Sequence, residues 1–345
     1  MKARTLARRA QFFSSRWLIA PPRAVSQHQA PPPRRHPFLM ISQVQRSGGS
    51  MFAQLLDNHP EFLVFPGEIH VAKPKSDWPR VDPARHPSIT FRKLVDHRCI
   101  EYARKGFYKT IRGTQRQDFP YDVAAHHDLF CALFRERRPE TARDVLDLFF
   151  TSFFAAWDRG DNDPLAPQPV SYYAGFAAVM AANGDAVDRF FRDYPDGHLV
   201  SIIRNPRNWL PSAVNKPKSR SQFNGTEKAL GVWRRSAEGM RRNAERYPGK
   251  VTLLEFERLI SDTETVMRRF ARRLGLDYDP TLAIPTFNGE PLESNSTFTT
   301  VKGFVDDSVL KRDAGEAPGM APCVALYEDL RSRTLLEEPE SSCAA

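Results

Sequence analysis

At 345 residues the chain has room for one large domain or two smaller ones, and 41% hydrophobic with 26% charged residues is the composition of a globular protein. The net charge of +9 implies attraction to anions, which nucleic acid, an acidic membrane surface and a phosphorylated small molecule satisfy equally. No apolar run reaches the roughly 18 residues of a transmembrane helix, and the four cysteines (Cys99, Cys131, Cys323, Cys343) have no metal-ligand spacing and read as free thiols of a reducing compartment.

Residues 1–36 hold seven arginines, no acidic residue and the run Pro31-Pro32-Pro33. This composition predicts a disordered basic arm, or a short helix in weak contact with anionic membrane. Its resemblance to a mitochondrial targeting peptide is the competing reading to a cytoplasmic protein. The folded domain is expected over 37–312. Phe38–Val44 is an apolar run of buried-strand type. From Gly49 the pairs Met51/Leu55 and Phe52/Leu56 mark one helical face, which Pro60 stops near Asn58-His59. Phe62–Phe65 is a second strand ended by Pro66-Gly67-Glu68.

Residues 89–155 read as mainly helical, with an apolar stretch from Ala142 to Trp157 and a Gly/Asp/Asn/Pro loop from Asp158 to Pro169. A third strand is expected at Val170–Phe176, a helix at Ala186–Arg192 and a fourth strand at His198–Ile203. Pro206 is expected to bar a helix until about Asn208. A basic helix over Lys228–Tyr247, a strand over Val251–Phe256 and a helix over Thr263–Leu274, capped by Gly275, complete the pattern. Strands alternating with helices predict an α/β fold, a parallel sheet flanked by helices. Residues 313–345, rich in Pro, Gly and acidic residues, are expected to be a loosely ordered tail.

Two turns stand out. Arg46-Ser47-Gly48-Gly49-Ser50 joins the first strand to its helix: the glycines allow close backbone approach, Ser50 adds a hydroxyl and Arg46 a fork of donors for an anion. The Gly-Lys-Ser/Thr ending of a Walker A motif is missing. Arg204 ends the fourth strand, at the carboxyl edge where ligands of open α/β sheets collect, and a helix behind it returns Ser212 to that edge.

Arg46-Ser-Gly-Gly-Ser50, with Leu-Leu-Asp57-Asn-His-Pro60 and Gly67-Glu68 after it, resembles the 5′-phosphosulfate loop of sulfotransferases. Arg204-Asn-Pro-Arg-Asn-Trp-Leu-Pro-Ser212 resembles their 3′-phosphate motif, and the resemblance spans roughly residues 38–305. It implies a fold similar to nucleotide kinases and sulfuryl transfer from 3′-phosphoadenosine 5′-phosphosulfate (PAPS) to a hydroxyl of a carbohydrate or small metabolite, without a metal. By the same resemblance Arg46, Ser47, Gly48, Gly49, Ser50 and Met51 would hold the phosphosulfate. Arg204 and Ser212 would hold the 3′-phosphate, and a C-terminal loop with Ser296 and Lys302 would complete the site. Glu68 is the expected base, with His70 its rival.

Two departures from the family pattern concern acceptor and sulfuryl binding. Gly49 stands where many relatives have Lys or Thr, and Tyr172-Tyr-Ala-Gly-Phe176 stands where many have a Lys-Thr-Pro-like element. Trp233 or Phe223 could stack on adenine, although aromatics in a helix are more often core. Lys73, Lys75, Lys109, Arg112 and Arg116 could receive an anionic acceptor, and His126-His127 lacks the third ligand a metal site needs. A nucleotide-dependent kinase of related fold and a catalytically silent nucleotide- or polyanion-binding protein are the alternative readings. No aromatic RNA-recognition motif is present, so no nucleic acid partner is expected.

Overall fold

The computed structural model describes residues 35–69, 78–95, 107–111, 115–157, 171–214, 223–292, 303, 305, 307–311 and 313–335. Its frame is a five-stranded parallel sheet: β1 (Phe38–Gln43), β2 (Phe62–Glu68), and three later strands at Tyr172–Phe176, His198–Ile203 and Val251–Glu255. Between β2 and those three lies an antiparallel pair, β3 (Phe107–Ile111) and β4 (Gln115–Asp118), so the later strands are β5, β6 and β7. The sheet order is β2-β5-β1-β6-β7, which places β1 at the centre.

Neighbouring residues of the central strands face opposite layers. Phe38, Met40, Leu199 and Ile203 join one core, whereas Leu39, Ile41, Val200 and Ile202 join the other. A strand buried on both faces favours apolar residues on both, which is why β1 and β6 are apolar apart from Ser42, Gln43, His198 and Ser201. Helices α1 (Gly49–Leu56), α8 (Phe256–Ser261) and α9 (Thr263–Arg273) cover the second face. The first is covered by α2 (Pro87–Leu94), α3 (Val123–Arg137), α4 (Ala142–Ala155), α5 (Gly184–Asp193), α6 (Pro206–Val214), α7 (Thr226–Arg246) and α10 (Met320–Arg331). A capping box between Thr141 and Asp144 starts α4. At the end of α9, Gly275 takes φ +72, with Gly275 N–H donating to Arg272 and Leu276 N–H to Ala271, the bonds of a Schellman motif.

The described part of residues 89–155 is mainly helical, but it also holds a hairpin that the sequence reading missed: Phe107–Ile111, rich in aromatic and β-branched residues, pairs with Gln115–Asp118. Three expectations are corrected. β2 runs past Pro66 to Glu68; it is an edge strand whose register shifts between Val64 and Glu68, where a residue without an N–H is tolerated. Helix α6 begins at Pro206 itself, because a proline's fixed φ and missing N–H suit the first helical position. The stretch from Asp313 contains α10, which buries Met320, Cys323, Tyr327 and Leu330 and packs on α7, and Leu335 N–H donates to Leu253. The expected loop at 158–169 lies outside the described residues.

Candidate active site

The chain leaves β1 toward β2 and β5 on one side and reaches β6 and β7 on the other, so the carboxyl ends of β1 and β6 flank the point where strand order reverses. Both turns singled out from the sequence sit there. In the first, Arg46 is held at φ +71 and Gly48 at φ +84, and Arg46 is exposed. The Gln43 side chain accepts from the Gly49 amide at the start of α1. The Ser50 and Met51 amides have no acceptor among the described residues, and the wholly buried Ser47 hydroxyl has no partner among them. Two open amides and an unsatisfied buried hydroxyl at a helix N-terminus form a cradle suited to an anion.

The second turn grips the first. Arg204, only 3% exposed, donates from Nη1 to the Arg46 carbonyl at 2.8 Å across 158 residues of chain. Its Nε reaches Asn208 Oδ1 at 2.6 Å, and Nη2 reaches the Asn208 carbonyl at 3.0 Å and Ser212 Oγ at 3.2 Å. Its guanidinium lies 4.5 Å over the Phe256 ring. The turn is further pinned by Trp209 Nε1, which donates to the Gln45 carbonyl at 2.5 Å, and by Trp233 Nε1, which donates to the Arg204 carbonyl at 3.0 Å.

Behind Arg204 stands a carboxylate that the sequence reading did not single out. Glu257 Oε1 accepts from Asn208 Nδ2 at 2.7 Å and from the Asn205 amide at 3.0 Å, and Tyr327 of α10 donates to Glu255 at 2.6 Å with Glu257 Oε2 3.4 Å away. Burial pushes the Glu257 carboxyl up, opposed by those donors and by the Arg204 charge. Glu257 lies two residues past the carboxyl end of β7 at Glu255, so the edge rule that selected Arg204 points to it as well.

Both family departures meet at one place. A β-carbon on Gly49 would overlap the Phe176 ring and lie 2.9 Å from Gln43 Oε1, so Phe176 at the end of β5 fills the volume that a side chain at 49 would need. Gly48 is fixed likewise, its would-be β-carbon 2.8 Å from the Phe256 ring. Beside this contact a narrow cleft is lined by Ser50, Gln54, Asp57, Gly67, Phe176 and Phe287. Glu68 follows the lining residue Gly67 in the chain; it is half-buried and in register with Phe176.

The sulfotransferase family model matches residues 37–280. The chain belongs to the sulfotransferase family. Its coordinates are similar to the sulfotransferase domain of the curacin biosynthetic pathway (12% identity, 86% of this chain and 98% of that one, TM-score 0.49). They are also similar to the sulfotransferase domain of the Synechococcus PCC 7002 olefin synthase (14%, 88% and 98%, 0.45) and to a sulfotransferase from Alicyclobacillus acidocaldarius (14%, 90% and 100%, 0.45). No curated protein matches the sequence significantly.

This sulfotransferase keeps its two suggested adenine-stacking residues in the core: Trp233 is fully buried, and Phe223, 2% exposed, packs edge-on against Trp209. His126 is a satisfied core histidine between Tyr121 Oη at 2.6 Å and the Phe149 carbonyl at 3.1 Å. Among the described residues no group of three metal-ligating side chains forms, and no helix is long and apolar enough to cross a membrane. His70, Lys73, Lys75, Arg112, Ser296 and Lys302 lie outside the described residues, while Lys109 and Arg116 fall on β3 and β4.

Proposed function

We propose that this sulfotransferase moves a sulfuryl group from PAPS to a hydroxyl of a carbohydrate or small metabolite, in a cytoplasmic setting that suits its free Cys131 and Cys323. The observation that carries the reading is the contact of two anion-suited turns at one switch point, Arg204 Nη1 on the Arg46 carbonyl. The open Ser50 and Met51 amides, the unpartnered Ser47 hydroxyl and exposed Arg46 would receive the 5′-phosphosulfate. Ser212 accepts from Arg204, which leaves its own hydroxyl hydrogen for the 3′-phosphate, with the Arg204 charge beside it.

In the transfer, Glu68 takes the acceptor proton as the acceptor oxygen bonds to sulfur. The bond from sulfur to the bridging oxygen breaks, and the adenosine 3′,5′-bisphosphate leaves with the electron pair. Arg46 and the α1 amides stabilise the charge on the moving group and on the bridging oxygen without reorganising. The reading is tested by calorimetry with 3′-phosphoadenosine 5′-phosphate against AMP, and by radiolabelled-sulfate transfer to sugars, lipids and phenols. Preference for the 3′-phosphorylated ligand together with label transfer supports it. Binding without transfer to any acceptor class would replace it with a silent nucleotide-binding protein.

A further inference from the structure

Away from the sheet edge, α2 and α3 bring together a group of nucleophilic and titratable side chains that serves neither turn. His127 and Cys131 are one helical turn apart on α3, and Ser88 approaches both from the first turn of α2. His127 Nε2 lies 3.5 Å from Cys131 Sγ and 3.3 Å from Ser88 Oγ, while Ser88 Oγ is 3.6 Å from the same sulfur. On the far side of the ring, His127 Nδ1 lies 2.9 Å from Asp128 Oδ1. With Nδ1–H donating to the carboxylate, Nε2 faces the sulfur as the acceptor of the thiol proton, and the imidazolium so formed donates Nε2–H back to the thiolate. This is a carboxylate–imidazole–thiol relay built on one helix and closed by a hydroxyl from a second.

We propose that Cys131 is a nucleophilic thiolate, held by His127 and Ser88, which small hydroperoxides oxidise to a sulfenic acid. Burial pushes the Cys131 thiol up, but the His127 and Ser88 hydrogen bonds and the charges of His127 and Arg135 outweigh it, leaving the thiol below its ordinary range. His127 moves the opposite way, chiefly through its bond to Cys131, with burial opposing and Asp128 assisting. The chain contains its own control. Cys323, equally buried, donates to the Leu230 carbonyl at 3.8 Å and is pushed up by burial.

Access selects the reagent class. Cys131 is 2% exposed beside the partly exposed Ser88 and His127, whose side chain is 23% exposed, so a two-heavy-atom oxidant reaches the sulfur more readily than a bulky electrophile. In the reaction the thiolate sulfur attacks one peroxide oxygen, the S–O bond forms and the O–O bond breaks. The departing hydroxide takes the His127 Nε2 proton and leaves as water. Sulfur loses two electrons and the peroxide gains them.

The test exposes the reduced, folded protein to hydrogen peroxide, removes the peroxide, unfolds the protein in dimedone so that the reagent reaches any sulfenic acid formed, and reads each cysteine peptide by mass spectrometry. At pH 7 Cys131 is expected to label at least about tenfold faster than Cys323, with a half-maximal rate below the ordinary thiol pKa of about 8.5. H127Q should slow Cys131 about tenfold at pH 7 and recover at pH 9, an alkaline shift that loss of packing alone would not produce. S88A, which removes one weak donor, should shift the profile in the same direction by less, and it carries the test if H127Q does not fold. Equal labelling of the two cysteines, no labelling of Cys131, or an unmoved pH profile would overturn the proposal.

Discussion

Gly49→Ala tests the account of the loop most directly. Gly49 is absent from the positive-φ residues, so alanine meets no backbone strain there and only volume opposes it. Its new β-carbon would overlap the Phe176 ring, which is 5% exposed and belongs to the same core as Leu39, Ala53 and Val64, so either the ring leaves that core toward the cleft it lines or the loop backbone shifts. Overpacking of this kind costs about 1–3 kcal/mol. Phe176→Leu shortens the ring side and by itself costs about 1 kcal/mol. If the two residues share one volume, the double variant is more stable than the sum of the single losses by at least about 1 kcal/mol. Urea unfolding followed by far-UV circular dichroism gives the four free energies. Additivity within about 0.5 kcal/mol would show that Phe176 does not occupy the space, and the explanation for the family departure would fall.

Other outcomes follow from the same geometry. Arg204→Ala frees the Arg46 turn and removes charge beside Ser212, so affinity for 3′-phosphoadenosine 5′-phosphate should fall about tenfold more than affinity for AMP; equal losses in calorimetry would make Arg204 a brace alone. Glu68→Gln should leave nucleotide affinity intact and lower turnover about 10²–10⁴-fold, whereas unchanged turnover would move the base elsewhere. Removing residues 313–345 strips away the buried Met320, Tyr327 and Leu330, each contributing about 1.5–3 kcal/mol, and should yield a protein that unfolds at far lower urea; an unchanged midpoint would mean that α10 is dispensable. The last outcome concerns pH. Burial holds the Asp147 carboxyl at about 7, against 3.8 unfolded, despite the Tyr194 hydroxyl at 2.7 Å, so its contribution to stability is lost as pH rises through that window. Burial holds His198 at about 3, against 6.5 unfolded, so its contribution is lost as pH falls through its own window. Between about pH 4 and 6.5 the two slopes, each about 1.4 kcal/mol per unit, oppose one another. Asp147→Asn should therefore uncover a loss of stability on acidification that the parent protein lacks, and superimposable stability–pH curves would refute the assignment.

The sequence alone determined the sheet strands and the two turns. Predominantly apolar runs such as Phe38–Val44 and His198–Ile203 have few options but a strand buried on both faces, and glycine or arginine at their ends marks the edge where a ligand can approach. It also pointed to Gly275 as a helix cap, because positive φ is a local property. What local patterns could not encode was decided by packing between distant segments. Proline's meaning depended on position: Pro66 became tolerable because β2 is an edge, and Pro206 because it came first in its helix. The tail's Pro and Gly concealed the buried stripe at Met320, Cys323, Tyr327 and Leu330, which gains meaning only against α7. The sequence could nominate Arg204 and Gly49 as separate features. Only the folded chain set one guanidinium on the Arg46 carbonyl and one phenyl ring over Gly49, because both contacts join strands that are neighbours in the sheet and more than a hundred residues apart along the chain.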